Sequence, residues 1–314
     1  GQRRAIAIGG FLMAAAQFTL AFHALRFRAG DAPSSLMMNC VLFLGLALLA
    51  AGNGFFKPNI SSIVGSLYAQ GDARRDGAFT IFYMGINIGA FFAGFSGQVA
   101  EGFGWHWGFL LAGVGMLIGQ VIFFAGGGFL QGKGLPPVTA LAARRGVLGI
   151  PNALSISVGV AIFIPLAAFM MANPTYVQNL ALFVAVPILI YLLWECKRSS
   201  REEGARMLVI IVLTCFSMTF WAFFELAGSA IALFADQHVD RTISWFGRTI
   251  EFKASLLTAS INPLFIVILG IPFAKLWVWL DKKRMEPSSP FKFALGLMQL
   301  AARSEERRVG KECC

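Results

Sequence analysis

Residues 52–91 read GNGFFKPNISSIVGSLYAQGDARRDGAFTIFYMGINIGAF, and two apolar runs meet in this stretch at one short charged turn. Lys57 lies inside the first run, directly before a proline, and Asn87 lies inside the second run among glycines. Charged groups are costly within membrane spans, so they usually face a cavity, a partner or a transport pathway. These isolated polar residues are therefore the first candidates for function.

The composition indicates a membrane protein. The chain has 314 residues, of which 57% are hydrophobic and 13% are charged, whereas a soluble domain carries about 25% charged residues. A bilayer is crossed by a helix of about 20 apolar residues. We therefore predict an all-α, multi-pass membrane protein in contact with the lipid bilayer. Its apolar runs are 5–25, 35–67, 78–100, 105–124, 152–171, 177–194, 207–234 and 254–280, and a further helix is expected to begin within 290–300.

The basic residues predict an orientation. They lie mainly between the apolar runs and form no basic groove interleaved with aromatic residues, so the net charge of +10 does not indicate a nucleic acid partner. Most of them fall on one side if each run crosses once, and that side is predicted to be the cytoplasmic face of the inner (cytoplasmic) membrane. They are Arg3-Arg4, Arg74-Arg75, Arg144-Arg145, Lys197-Arg198-Arg201 and Lys282-Lys283-Arg284, whereas Arg26, Arg28, Arg241 and Arg248 fall on the other side.

No metal site, cofactor or enzyme chemistry is predicted. The three histidines are too scattered along the chain to indicate a zinc site. The cysteines within the apolar runs are typical of small buried residues. No nucleophile with an adjacent base and no phosphate-binding loop is found, so the chain is not expected to be an enzyme.

Lys57 and Glu225 are the two charged residues that stand out within the spans. An ammonium and a carboxylate across an aqueous cavity match the two ends of a zwitterionic ligand, and both groups change protonation when their desolvation changes. The alternative is that they pair with each other, or with partners outside this chain, for structure alone. Trp221 lies four residues before Glu225, on the same helical face, and is a candidate wall of the same cavity.

Two asparagines complete the candidate site. Asn87 is expected either to contact the ligand or to form an interhelical hydrogen bond. Asn262 directly precedes Pro263, which removes a backbone donor and frees a carbonyl group, so the helix is expected to be interrupted there. A kink without any ligand contact is the alternative at this position.

Five motifs occur along the chain in a fixed order: residues 52–68, FTIFYMGINIGAF at 79–91, FWAFFELAGSAIALFADQHVDR at 220–241, SINPLF at 260–265 and PSSPFKFALGL at 287–297. Together they resemble the proton-dependent oligopeptide transporters of prokaryotic type, a family of the major facilitator superfamily. This resemblance covers nearly all the chain up to about residue 300 and implies a helical bundle of the major facilitator type, truncated at both ends.

The same resemblance implies a division of the chain. Residues 1–128 correspond to helices three to six of the N-terminal half, and residues 129–202 to a linker with two extra membrane helices between the halves. Residues 203–301 correspond to helices seven, eight and the start of nine. The hydrophilic end, 302–314, is expected to be a non-native tail, with a genuine cytoplasmic tail as the alternative.

The resemblance also implies a function, which is symport of di- and tripeptides with protons by alternating access. Protons are then the coupling ion, small peptides are the substrates, and the protein is expected to be a monomer. The family's substrate contacts fall at positions matching Lys57, Asn87, Trp221, Glu225 and Asn262. The alternatives are a carrier of nitrate or another small solute, and a membrane scaffold or receptor that does not transport.

Several departures from the family pattern limit this expectation. The first-helix motif Glu-x-x-Glu-Arg-Phe is not present in these residues, and Leu226 stands where members commonly have Gln. Thr258-Ala259 replaces the aromatic residue and Gln that many members carry there. The binding pocket is therefore expected to differ in detail, and these 314 residues alone are not expected to transport.

Overall fold

A computed structural model describes most of the chain, and the description below concerns residues 1–26, 36–69, 72, 74–136, 152–245, 248–285, 287–288, 291–292, 294–296 and 298–299. The predicted tail 302–314 and the basic pair Arg144-Arg145 lie outside these residues. The predicted ninth helix is described at seven positions between 291 and 299, all of them helical.

The described residues form nine α-helices and one β-hairpin. Eight helical segments are long and apolar enough to cross a membrane, with α7 and α8 counted as one segment, so the prediction of an all-α membrane protein is confirmed. The helices are α1 (Gln2–Arg26), α2 (Leu36–Ser66), α3 (Arg74–Phe103), α4 (Trp105–Ala125), α5 (Asn152–Ala172), α6 (Pro174–Arg198), α7 (Arg201–Glu225), α8 (Ala230–His238) and α9 (Ala254–Lys282), and the hairpin pairs β1 (Thr242–Trp245) with β2 (Arg248–Glu251).

Two compact units divide the chain. The first comprises Gly1–Ala181 and Asp240–Leu264, and the second comprises Leu182–Val239 and Phe265–Cys314. This division differs from the boundaries after residues 128 and 202 that the family resemblance implies, and it does not test them. Those boundaries concern the halves of a transporter and stay predictions.

In the first unit, α1 packs between α2 and α4, and its contact with α2 depends on glycine. A Cβ atom added at Gly52 would lie 2.7 Å from the carbonyl oxygen of Gly9 and 2.9 Å from the amide nitrogen of Met13. The two backbones are therefore in direct contact, because small residues are what allows membrane helices to approach so closely.

The glycine pairs spaced four residues apart in α3 and α4 are not at such contacts. Apart from the chain neighbours and the backbone of the same helical turn, no atom of the described residues lies within 4 Å of a Cβ atom built at Gly85, Gly89, Gly115 or Gly119. No contact with another helix is therefore observed at these pairs in the described part of the chain. Glycines four residues apart leave one face of a helix without bulky side chains. Their spacing does not show which other helix packs against that face.

A buried glutamine fastens α4 to α1. Gln120 is buried, and its Nε2 donates to the carbonyl oxygens of Ile6 and Ala7 at 3.3 and 3.2 Å. Its amide lies directly against Gly10, where a larger residue would occupy the same space. At the start of α1, Arg3 donates from Nε to the Lys133 carbonyl oxygen at 2.7 Å, which ties the basic start of α1 to the segment after α4.

In the second unit, only Ser199 and Ser200 separate α6 from α7. The Ser200 hydroxyl caps α7 by accepting from the backbone N–H of Glu203 at 3.4 Å, and it donates to the Glu203 carboxylate at 2.9 Å. The Cys196 thiol donates to the carbonyl oxygen of Gly204 at 2.9 Å, across the turn. We call these residues the α6–α7 joint.

The seventh apolar run was expected to be one helix over 207–234, and this expectation is wrong. Helix α7 ends at Glu225, a short 3-10 turn covers Leu226–Gly228, and α8 begins at Ala230. At Ser229 the backbone has φ −128° and ψ −91°, which is outside the helical region, so the helix cannot continue through it.

Candidate functional site

Lys57 lies within a polar turn of α2 and is exposed. The following residue, Pro58, has no backbone N–H, so the carbonyl group one turn earlier loses its helical partner. Three side chains of this turn donate to carbonyl oxygens of α2 instead of to other helices: Asn59 to Phe55 at 2.8 Å, Ser61 to Lys57 at 3.2 Å, and Ser62 to Pro58 at 2.7 Å. The helix continues through the proline, and the ammonium group projects from a backbone held by its neighbours.

Asn87 is buried near the middle of α3, with 7% of its surface exposed. Its Nδ2 donates to the carbonyl oxygen of Tyr83, one turn earlier, at 2.8 Å. This bond uses one of the two amide protons within its own helix. The other proton and the amide oxygen are the groups with which Asn87 can meet a ligand or another helix.

Lys57 and Asn87 lie at the same level of the first unit. The end of α2 packs on the start of α3, because a Cβ atom added at Gly65 would lie 3.3 Å from the ring of Phe79. Lys57 is eight residues before that contact and Asn87 is eight residues after it, which is a rise of about 12 Å along each helix. Since successive spans run in opposite directions, both rises lead to the same depth.

A row of close contacts joins α3 to the start of α9. The Ser260 hydroxyl donates to the Phe91 carbonyl oxygen at 2.7 Å, and a Cβ atom at Gly97 would lie 2.8 Å from the Ser255 hydroxyl oxygen. At the far end, Gln98 accepts from the backbone N–H of Lys253 at 2.9 Å and donates to the Glu251 carbonyl oxygen at 3.4 Å. We call this row the α3–α9 seam, defined by Phe91, Gly94, Gly97 and Gln98 with Glu251, Lys253, Ser255 and Ser260.

Asn262 lies at the inner end of the α3–α9 seam and is exposed. It follows Ser260 by two residues, and Asn87 precedes Phe91 by one turn on the opposite helix. Because the two helices run antiparallel along the seam, both asparagines lie just beyond its last hydrogen bond. The expected interruption at Pro263 is not observed, since α9 is continuous from Ala254 to Lys282 and tolerates the loss of one backbone hydrogen bond.

Beyond the other end of the seam, the hairpin carries a perturbed carboxyl group. The hydroxyl and backbone N–H groups of Thr242 donate to Asp240 at 2.6 and 3.0 Å. These two hydrogen bonds, the hydroxyl first, hold the pKa of Asp240 below its ordinary value, because they favour the charged carboxylate. The seam and hairpin thus keep the loop before α9 attached to α3.

Glu225 lies in the second unit, at the point where α7 ends. Its side chain is exposed, and the backbone changes from α-helix to 3-10 helix directly after it. A broken helix leaves backbone groups without helical partners, and such breaks are where many secondary transporters place their binding sites. The break lies where the apolar run predicted a continuous helix, and the role of Glu225 stays a prediction.

Trp221 belongs to an aromatic cluster one turn before Glu225. Its ring meets that of Phe224 edge-on, with 5.3 Å between centroids, and the rings of Phe220 and Phe224 stack at 5.8 Å. Trp221 is still 52% exposed, so much of the indole is available to contact other groups. The cluster gives Glu225 an apolar flank on its own helix.

The five predicted residues are thus divided between the two units. Lys57, Asn87 and Asn262 share one level of the first unit, whereas Trp221 and Glu225 share one helix end of the second. The expected pairing of Lys57 with Glu225 stays a prediction, as do the individual roles of all five residues.

Sequence reasoning missed three polar residues that the structure places at helix contacts. Gln98, Gln120 and Ser260 are neither charged nor asparagines, so the features that singled out the candidate site residues are absent from them. The available signal was an uncharged polar residue in an apolar helix, which usually bonds across helices in lipid.

The chain matches known proteins over nearly its whole length. The family model described as PTR2, POT family, matches residues 3–303. The peptide transporter YePEPT of Yersinia enterocolitica subsp. palearctica is 34% identical over 96% of this chain and 58% of the relative. A di-/tripeptide transporter of Lactococcus lactis subsp. lactis is 32% identical over 95% of this chain and 58% of the relative.

Solved structures give the same result. A mutant peptide transporter POT in complex with alafosfalin has a TM-score of 0.66 at 34% identity, covering 95% of this chain and 57% of that one. A POT family transporter in complex with a thioalcohol-conjugated peptide has a TM-score of 0.67 at 28% identity, covering 94% of this chain and 59% of that one. The chain therefore spans a little over half the length of the relatives that it matches.

The α3–α9 seam generates a stability prediction. Ser260→Ala removes the hydrogen bond to the Phe91 carbonyl oxygen, and such bonds between membrane helices contribute about 0.6–2 kcal/mol. We expect the variant to unfold at lower denaturant concentration when the protein is titrated with sodium dodecyl sulfate in mixed micelles.

Ser61→Ala is the matched control, because the Ser61 hydroxyl bonds only within α2 among the described contacts and is exposed. The control should unfold within about 0.5 kcal/mol of the wild type, as surface substitutions usually do. Equal unfolding midpoints for Ser260→Ala and the wild type would contradict the contribution assigned to the seam.

Proposed function

Because the chain belongs to the POT family, we propose that it forms part of a proton-coupled symporter of di- and tripeptides in the cytoplasmic membrane. The observation that carries the proposal is the 34% identity, over 96% of this chain, to a protein named as a peptide transporter. Protons are proposed as the coupling ion, and the working unit is proposed to be a monomer.

The charged residues are proposed to recognise the two ends of the peptide. Lys57 attracts the peptide carboxylate or relays charge, and Glu225 meets the peptide amino group. Two unit charges 4 Å apart interact by about 1 kcal/mol in water and by about 4 kcal/mol at an effective dielectric constant of 20. A partly dehydrated cavity therefore favours a zwitterion of the right length.

Neutral groups are proposed to complete the site. Asn87 and Asn262 offer amide groups near the level of Lys57, and these suit the peptide bond, which needs a donor and an acceptor. Trp221 offers an exposed indole face for side chains of differing size. Van der Waals contact of this kind tolerates many side chains, which suits a carrier that reads the backbone of its substrate.

Proton coupling is proposed to depend on Glu225. A carboxyl group binds or releases its proton as its desolvation and its charged neighbours change. The helix break after Glu225 allows the local backbone to change without breaking a long row of helical hydrogen bonds. Arrival of a peptide amino group and arrival of a proton then compete for one carboxylate, which links the two fluxes.

The α3–α9 seam is proposed to act as a pivot during alternating access. It joins a helix of the predicted N-terminal half to the start of a helix of the predicted C-terminal half, and its contacting residues all lie within the first unit. Small residues at Gly94 and Gly97 present a smooth surface, on which packed helices undergo small shear movements. The hydrogen bonds at Ser260 and Gln98 fasten the two ends of this contact.

The proposed function is tested in proteoliposomes that contain the protein expressed from its whole gene. We expect labelled dialanine to accumulate when the outside is acidic, and accumulation to stop when a protonophore collapses the gradient. Unlabelled dialanine should compete, whereas nitrate should not. Nitrate uptake that dialanine leaves unchanged would favour a carrier of another solute, and no flux of either solute would favour a non-transporting scaffold or receptor.

Glu225→Gln is expected to reduce proton-driven uptake to background, because the amide cannot bind and release a proton as the carboxylate does. The measurement is the initial rate of dialanine uptake under an inward proton gradient. Glu202→Gln is the control, since Glu202 is exposed and its ion pair with Arg206 is long, at 3.9 Å. Undiminished uptake by Glu225→Gln would rule out the coupling role.

Lys57→Ala is expected to uncouple uptake from pH. The variant loses the ammonium group that is proposed to interact with the peptide carboxylate and with the charged groups that couple uptake to protons. Uptake should become nearly constant between about pH 5 and pH 8, a range that contains the ordinary pKa of histidine and into which desolvation can raise the pKa of a carboxyl group. Lys133→Ala, which changes an exposed lysine outside the spans, should keep the wild-type profile. A pH profile of Lys57→Ala that matches the wild type would contradict the assignment.

A further inference from the structure

The end of α9 carries cations that its acidic neighbours do not balance. Residues 275–292 contain Lys275, Lys282, Lys283, Arg284 and Lys292 against Asp281 and Glu286, so five positive and two negative charges leave a net charge of +3. Lys282, Lys283 and Arg284 are exposed. With Trp277, Trp279 and Lys292 they form what we call the basic–aromatic cluster, which lies in the second unit.

Two ammonium groups of the cluster lie over indole rings. The Lys283 Nζ atom is 4.0 Å from the centroid of Trp279, and the Lys292 Nζ atom is 4.5 Å from that of Trp277. Trp279 is half exposed. Indole rings at the ends of membrane spans prefer the headgroup level of the bilayer. These two contacts therefore bring ammonium groups close to indole rings of the kind that favour the headgroup level.

The backbone at the end of α9 turns through an arginine. The Met285 N–H donates to the Leu280 carbonyl oxygen at 2.9 Å, and the Lys283 N–H donates to the same oxygen at 3.1 Å. Arg284 has φ +55°, in the left-handed region where helix ends usually have glycine. A residue with a Cβ atom is strained in this conformation. Arg284 therefore occupies a backbone position that glycine would adopt at a lower energetic cost.

Stabilisation of the helix end does not explain the whole cluster. Cations in the last turn of a helix interact favourably with its negative C-terminal pole, which accounts for Lys282 and Lys283. This effect falls off within one turn, so it does not account for Lys292, ten residues later. The carbonyl group of Leu280 is already satisfied by backbone donors.

The α6–α7 joint provides a contrast within the same unit. Residues 195–206 contain Lys197, Arg198, Arg201 and Arg206 against Glu195, Glu202 and Glu203, so four positive and three negative charges leave a net charge of +1. Arg206 lies 3.9 Å from the Glu202 carboxylate. Both segments are rich in basic residues, but only the end of α9 keeps a strong excess of positive charge.

We propose that the basic–aromatic cluster binds the headgroup phosphates of anionic phospholipids in the leaflet at this end of α9. Juxtamembrane clusters of lysine and arginine attract anionic lipids, and the attraction falls off within a Debye length of the surface. The indoles fix the depth of the helix end while the neighbouring cations pair with phosphate oxygens. The proposal needs only that α9 crosses the membrane, so it stands or falls separately from peptide transport.

The test is native mass spectrometry of the purified protein, expressed from its whole gene and titrated in detergent with phosphatidylglycerol or phosphatidylcholine. We expect tighter binding of phosphatidylglycerol, with an affinity that falls as ammonium acetate is raised. The triple variant Lys282→Gln/Lys283→Gln/Arg284→Gln should lose at least about tenfold in phosphatidylglycerol affinity, given that each surface cation contributes to attraction by anionic lipid. Inorganic phosphate at millimolar concentration should not displace the lipid.

Two further variants separate charge from folding. Arg198→Gln/Arg201→Gln/Arg206→Gln removes the same number of cations at the α6–α7 joint and should change phosphatidylglycerol affinity by less than about twofold, because acidic residues already compensate charge there. Lys282→Arg/Lys283→Arg/Arg284→Lys keeps every charge and should bind like the wild type. Equal affinity for the two lipids, equal losses in both Gln variants, or displacement by inorganic phosphate would overturn the proposal.

Discussion

In the hydrocarbon layer, a backbone polar group must find its partner inside the protein, because no water is present to replace it. This constraint makes the spans helical and makes every irregularity in them costly. At Pro58 one backbone donor of α2 is missing, and nearby side chains bond back to other carbonyl groups of the same helix. After Glu225, a 3-10 turn replaces the α-helical hydrogen bonds. Lys57 thus directly precedes a residue without a backbone N–H, and Glu225 is the last residue of α7.

The same constraint explains how the polar contacts between helices are distributed. Gln120 bonds α4 to α1, and Ser260 with Gln98 bonds α3 to the beginning of α9. Each of these contacts is accompanied by glycine, because a short polar side chain reaches a neighbouring backbone only if the helices approach closely. The α1–α4 contact holds helices of one predicted half together, whereas the α3–α9 seam joins the two predicted halves, so similar chemistry fastens helices within one half and between them.

The length of the apolar runs predicted the spans well, since bilayer thickness sets helix length directly. The break between α7 and α8 was not predictable in this way, because it depends on the backbone dihedral angles of Ser229 and not on hydropathy. The hairpin of β1 and β2 was not predicted, since its strands are only four residues each. Among the candidate site residues, Lys57 and Glu225 could be predicted because each is a charged residue within an apolar run. Gln98 and Ser260 are uncharged and were not predicted, because their role depends on which backbone groups of the neighbouring segment they contact.

The α6–α7 joint has a consequence for how the chain tolerates changes of length. Only Ser199 and Ser200 separate the two helices, which are also joined by the Ser200 cap and the Cys196 thiol hydrogen bond. This short connection cannot accommodate an added residue. One inserted residue that extended either helix would rotate its far end by about 100° and advance it by about 1.5 Å. Every lipid-facing side chain beyond the joint would then face a different direction. Insertions and deletions are therefore expected to be excluded from this joint, which fixes the rotational phase of α7 relative to the preceding helix.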